Sequence, residues 1–235
     1  MSRRNVTAAI VLLFLISATT GFAVDRYQWY FLGSDEECQI YVSPMIDRKY
    51  IAATTSCVIP ARMEVINVIL TDIANYPEWI EDCKATKILK TVDEEKDVFI
   101  VWYRQHIPVF TDRDMVFKSK ILIDLKNGRN IVYAGSTNEI SYDTGKGYVR
   151  MPFFHSIFTL EWIDREHTRV TFMIDPDLGE GLPMSNANVV IKDITYKSLK
   201  KMMKEVKKSK YIESAKTNKY NKMVEDAMKA GFVKP

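Results

Sequence analysis

Between Lys84 and Ile174 the chain is cut into seven short apolar blocks, and this punctuation limits its fold more than any other feature. The blocks are Lys84–Thr91, Val98–His106, Arg113–Asp124, Asn130–Glu139, Gly147–Met151, Ile157–Asp164 and Thr168–Ile174. Polar turn sequences part them at Asp93-Glu94-Glu95, Lys126-Asn127-Gly128, Asp143-Thr144-Gly145 and Asp164-Arg165-Glu166. Closely spaced strands with short turns predict an antiparallel meander. Inside the blocks Phe158, Leu160 and Trp162 alternate with Thr159 and Glu161, and Val170, Phe172 and Ile174 with Arg169, Thr171 and Met173. Met115, Phe117, Ile121 and Ile123 likewise oppose Lys118 and Lys120. One dry face and one wet face make a sheet that is covered on a single side.

The cover is read from helical spacing. Val65, Ile66, Ile69, Leu70 and Ile73 predict a helix that opens at Pro60, where a missing N–H costs nothing. It runs through Ala74 and is stopped by Asn75-Tyr76-Pro77, because a residue before proline is pushed out of the α region. Beyond Gly179-Glu180-Gly181-Leu182-Pro183, Ser185 is placed to cap a long helix. Val190, Ile191, Ile194, Leu199, Met202, Met203 and Val206 give that helix an apolar stripe long enough to cross the whole sheet. Cys38–Val42 and Tyr50–Ile59 read as two earlier strands, and residues 24–37 as an N-terminal segment or short helix. Residues 209–230 read as a further helix, with Tyr211, Ile212, Ala215, Val224 and Met228 on its apolar side. The class is α+β: a sheet curled round a C-terminal helix.

The first residues stand apart. Ser2-Arg3-Arg4-Asn5 is basic, Ala8–Ala18 is uncharged and apolar, and Gly21-Phe22-Ala23 supplies small residues before Val24-Asp25. That order is the one of a secretory signal over residues 1–23. The apolar run is short of the roughly 20 residues that span a bilayer. An exported, periplasmic protein is therefore expected, with an anchor formed by the uncleaved N-terminal helix as the alternative. Removing Arg3 and Arg4 takes the net charge from +3 to +1, which does not suggest a nucleic-acid partner. Lys197, Lys200, Lys201, Lys204, Lys207, Lys208 and Lys210 read as a solvated helix face, or as a weak foothold on anionic lipid head groups. Of Cys38, Cys57 and Cys83 at least one must stay unpaired. Buried free thiols are expected for all three, with one disulfide of unassigned pairing as the alternative.

Several motifs now fall in order. Asp72-Ile73-Ala74-Asn75-Tyr76-Pro77-Glu78-Trp79 ends the first helix. Pro108-Val109 precedes Asp112-Arg113-Asp114-Met115-Val116, and Lys146-Gly147-Tyr148-Val149-Arg150 follows. Asp177-Leu178-Gly179 with Gly181-Leu182-Pro183 leads into the last helix. Together, over Gln39 to Lys207, they resemble a START (lipid-transfer) domain of the bacterial exported type, within the wider helix-grip superfamily. The resemblance implies a curved antiparallel sheet gripping a long C-terminal helix, with a tunnel between them for one sterol, phospholipid or other apolar molecule. It places the domain at residues 24–208, with residues 209–235 as a C-terminal helical extension. The ion pair common in sterol-binding relatives aligns with Ser119 and Tyr103 here, so sterol specificity does not carry over.

Such a site needs an apolar wall and a few orienting polar groups. The candidate wall is Phe99, Val101, Tyr103, Met115, Phe117, Phe158, Leu160, Trp162, Phe172, Ile191, Ile194 and Met202. The candidate polar contacts are Gln105, Arg113, Ser119, Tyr133, Arg150, Asn188, Thr195 and Ser198. Plain core packing is the competing reading for the first set. For the second it is a structural ion pair or a solvent-facing position. Met151-Pro152-Phe153-Phe154 reads as a loop of exposed hydrophobes that touches a membrane or covers the tunnel mouth. His106, His155 and His167 have no metal-ligand spacing, no nucleophile, phosphate or dinucleotide motif is present, and no cofactor is expected. The reading is therefore a non-catalytic, monomeric carrier of a lipid or other apolar small molecule, in transient contact with a membrane surface. The alternatives are a ligand-sensing adaptor or a small cavity enzyme of the polyketide cyclase-like class, with His106 and Tyr103 as its first pair to test.

Overall fold

The computed structural model describes residues 27–45, 48–143, 145 and 147–234. The leader therefore lies outside the described residues. Its strands are β1 (Tyr30–Ser34), β2 (Cys38–Ser43), β3 (Ala52–Ile59), β4 (Cys83–Asp93), β5 (Val98–Gln105), β6 (Asp112–Asp124), β7 (Arg129–Ser136), β8 (Tyr148–Arg150), β9 (Phe153–Trp162) and β10 (Thr168–Asp177). Its helices are α1 (Met63–Thr71), α2 (Tyr76–Trp79), α3 (Met184–Glu205), α4 (Ser209–Thr217) and α5 (Lys219–Lys229).

Alternation does in three dimensions what it predicts in one. The strands join in the order β1-β2-β3-β10-β9-β7-β6-β5-β4. Every neighbouring pair in that order is antiparallel. Ala53, Thr55, Cys57 and Ile59 of β3, Phe158 and Leu160 of β9, and Val170, Phe172 and Ile174 of β10 are buried on one face. The long helix α3 packs on that face across β3 and β10 and reaches β2. The antiparallel expectation fails at one point: β8 pairs with β6 in parallel, Asp112 opposite Tyr148 and Asp114 opposite Arg150. This short strand is held there by the Arg150–Asp114 ion pair (2.8 Å).

Other boundaries move for local reasons. Residues 30–34 are the edge strand β1, not a helix, because β2 supplies a pairing partner. Helix α1 starts three residues after Pro60, at Met63, and ends at Thr71. Tyr76 adopts the α conformation despite preceding Pro77, which sits in the first turn of α2. There the missing N–H needs no partner, so Pro77 starts a turn instead of stopping a helix. Helix α3 begins at Met184 with Pro183 at its cap position, so Ser185 lies inside the first turn and caps nothing. Ile123 is exposed together with its neighbour Leu122: at that end β6 runs past its cover. The tail forms two helices, broken at Asn218, whose Oδ1 accepts a bond from the Tyr220 N–H (3.1 Å). Both tail helices pack on α1 and bury Tyr211, Ala215, Tyr220 and Val224, while Ile212 stays exposed.

Cys38 and Cys57 face each other across β2 and β3 and form a disulfide. This corrects the expectation of three free thiols, and only strand register could reveal it. Cys83 is free and buried, and burial pushes its thiol up to about 12. No helix among the described residues is long and apolar enough to cross a membrane.

Candidate functional site

Two kinds of inner row meet on the covered face. Along β3 the inward residues Ala53, Thr55 and Cys57 are small and fully buried, so α3 can lie close and fill the space. The inward residues of β6, β7 and β9 meet α3 only loosely, around Ile194, and a hollow of about 60 Å³ remains above them. Its wall comes from α2 (Tyr76, with Ile80 just beyond), β5 (Tyr103, Gln105), β6 (Met115, Phe117, Ser119) and β7 (Val132, Ala134). It is completed by Met151, β9 (Phe154, Ser156, Phe158), β10 (Phe172, Ile174, Pro176), Leu178 and Ile194 of α3.

Of these 18 residues, 13 are apolar and none is charged. The Tyr103 hydroxyl donates to Gln105 Oε1 at 2.6 Å. Gln105 Nε2 donates to the carbonyls of Glu81 and His106, both at 3.2 Å, and the Tyr76 hydroxyl donates to Leu70 O at 2.7 Å. Burial pushes the Tyr103 and Tyr76 hydroxyls well above the ordinary tyrosine range, so both stay neutral. Such a wall offers hydrocarbon and a few neutral oxygens. Among the described residues no group of His, Cys, Asp and Glu is arranged to hold a metal.

The sequence candidates divide on this geometry. Tyr103, Gln105, Met115, Phe117, Ser119, Phe158, Phe172 and Ile194 line the hollow. Val101, Leu160, Ile191 and Met202 are fully buried core residues outside the wall, and Phe99 and Trp162 are partly buried against that core. The other polar candidates are engaged elsewhere. Arg113 donates to the carbonyls of Leu178 (3.0 Å), Glu180 (2.8 Å) and Thr111, tying the loop before α3 to the sheet. Arg150 makes a two-pronged bond to Asp114, 2.8 Å on each prong. Thr195 meets the Thr55 hydroxyl at 2.9 Å, Ser198 Oγ accepts from the Glu81 N–H at 2.9 Å, and Asn188 Oδ1 accepts from the Ile51 N–H at 3.3 Å. Tyr133 points to the other face of β7, since Val132 and Ala134 point in. The predicted loop of exposed hydrophobes is exposed only at Pro152: Met151 is buried, Phe153 and Phe154 are half-buried at the start of β9, and Met151 and Phe154 line the hollow. His106 is bonded to Asp112 at 2.7 Å and does not line the hollow, so it forms no pair with Tyr103 there.

Sequence reasoning missed Tyr76, Ile80, Val132, Ala134, Met151, Phe154, Ser156, Ile174, Pro176 and Leu178. Two-residue periodicity could have found some of them: Phe154 and Ser156 share the parity of Phe158, and Ile174 that of Phe172.

The chain matches the START domain family over residues 19–212, most of its length. The chain belongs to the START domain family. Among curated proteins none matches it. Solved START-type structures share the fold at low identity. The STAR-related lipid transfer protein from Xanthomonas axonopodis superposes with a TM-score of 0.68 at 19% identity, over 77% of this chain and 99% of that one. Human STARD10 gives 0.69 at 18%, over 80% and 76%. Human StAR-related lipid transfer protein 5 gives 0.65 at 14%, over 76% and 86%. The family match of this START domain ends inside α4, so α5 lies beyond it.

Proposed function

We propose that this START domain binds one lipid or other apolar molecule between its bent sheet and α3, without catalysis, and transfers it. The carrying observation is the hollow itself: uncharged, walled mainly by hydrocarbon, and placed beside the gripping helix. The names of the similar lipid-transfer structures point the same way. A pocket for a drug-sized ligand occupies about 300–1,000 Å³, so the hollow of about 60 Å³ is a closed state whose wall must part. The loop between β5 and β6 is the best candidate to move. There Val109 is 99% exposed and holds φ at +70°, a conformation unfavourable for a β-branched residue. Desolvation drives binding, at roughly 25 cal/mol per Å² of apolar area.

Export to the periplasm is part of the same reading. The Cys38–Cys57 disulfide supports it, because such bonds persist in oxidising compartments. Transient contact with a membrane surface is proposed as well, although Lys197, Lys200, Lys201, Lys208 and Lys210 each have a carboxylate within 4.0 Å. Lys204 and Lys207 are the exposed lysines of the group left for a head-group surface. Mass spectrometry of a lipid extract from the purified protein tests the proposal. One lipid per chain is expected. A protein that is empty and takes up nothing from mixed-lipid vesicles would overturn it.

A further inference from the structure

Five polar residues line the hollow, and three of them are already committed. Tyr76 donates to a backbone carbonyl, and Tyr103 and Gln105 bond each other and the carbonyls of Glu81 and His106. Ser119 and Ser156 differ. They are 8% and 6% exposed, they border the hollow, and neither hydroxyl has a hydrogen-bond partner among the described residues. Polar groups inside a protein almost always have a partner, and these two hydroxyls open onto the hollow instead.

Strand register places the two together. Ser119 on β6 is opposite Ala134 on β7, and Ala134 is opposite Ser156 on β9. The serines therefore share one row of the sheet, two strand spacings apart, about 9–10 Å between backbones. Both line the hollow, and Ala134 between them lines it with only a single methyl, which leaves a notch in the row. Charged groups near this part of the sheet are spoken for. Arg113 is wrapped by three carbonyls, and Asp114 is held by Arg150 and by the Trp102 indole (2.9 Å). A phosphate buried here would meet no cation, and an unpaired buried charge is costly.

Resting on the apolar-ligand reading above, we propose that the ligand is an uncharged lipid. Its single polar end, a hydroxyl or carbonyl oxygen, seats in the notch between Ser119 and Ser156. The ligand oxygen bonds the nearer serine directly and reaches the other through a bridging water.

Three probes with one chain length separate the terms: hexadecane, hexadecan-1-ol and hexadecyl phosphate, each titrated into the full chain and followed by native mass spectrometry. The alcohol should bind one to one, at least tenfold more tightly than the phosphate and severalfold more tightly than the alkane. The double variant Ser119→Ala/Ser156→Ala should bring the alcohol down to the alkane's affinity and leave the alkane unchanged. Binding of the phosphate as tightly as the alcohol overturns the inference, and so does an alcohol preference that survives the double variant. In either case the apolar-ligand reading stands. If none of the three binds, that reading falls and takes this inference with it.

Discussion

The covered face of the sheet has two halves that were built from the same alternating pattern and ended differently. Under α3, the inner row of β3 is small, the helix lies close, and its polar groups find partners: Thr195 with Thr55, Ser198 with the Glu81 N–H, Asn188 with the Ile51 N–H. Over β6, β7 and β9 the inner residues include larger ones, Met115, Phe117 and Phe158, yet a hollow persists and two serines lack partners. Close approach of a rigid helix follows from small residues beneath it, while bulky residues that lack a close-fitting cover leave gaps. A filled half should be sensitive to lost or added volume, and a hollow half should tolerate it.

The largest test of this contrast is Leu199→Ala. Leu199 is completely buried on α3, and its truncation should remove about 2–5 kcal/mol of stability in urea unfolding. A loss under about 1 kcal/mol would mean that the half under the helix is not filled. Next comes the disulfide beneath the same half. Its cysteines are 19 residues apart, and the Cys38→Ser/Cys57→Ser pair should lose about 3 kcal/mol through the freed denatured chain. Reducing agent should lower the wild-type melting temperature and leave the variant unmoved.

A matched pair sharpens the contrast directly. Ala53→Val, under the helix, should cost about 1–3 kcal/mol by overpacking. Ala134→Val, facing the hollow, should cost less than about 1 kcal/mol and should still abolish lipid uptake. Equal costs at the two sites would erase the distinction. A smaller effect belongs to the loop beside the hollow: Val109→Asn should gain about 1 kcal/mol, because asparagine accepts positive φ more readily than valine. Faster unfolding of that variant would count against backbone strain at this position.

The smallest effect is one of pH, at His155 on β9. Burial, reinforced by Arg48 and opposed by Asp175, holds its imidazole below the ordinary histidine pKa. The folded state thus favours the neutral ring, and the unfolded chain takes up the proton first. Stability should be complete above about pH 6.5, the unfolded value, and should fall as the pH drops from there through the lowered native value. His155→Gln should flatten that decline. An unchanged profile would assign it to other groups.

Much of this was legible in the chain. Alternation at Phe158, Leu160, Val170 and Phe172 predicted their burial, and the stripe from Ile191 to Val206 predicted the gripping helix. Ser119 was singled out and does face the hollow. Ser156 shares the parity of Phe158 and faces the hollow too, but a lone serine in a strand carries no apolar signal. On β7 size points to Tyr133, yet it is the smaller Ala134 that faces in. Thr195 and Ser198 fall beside the helix stripe in the sequence, but their partners are on β3 and after α2, distant in sequence. Arg113 shows the same limit. Its acceptors at Leu178 and Glu180 are 65 and 67 residues away, and Gly179 between them holds φ at +73° where a side chain would strike Val149.

Residue order alone determined that a one-sided sheet would form and that one long helix would close it, because both periodicities are local and repeat many times. Tertiary packing decided which inward oxygens the protein bonds for itself and which, like those of Ser119 and Ser156, border the hollow without a protein partner. A hydroxyl's partner is set by a distance of about 3 Å between strands whose separation along the chain leaves no trace in either neighbourhood.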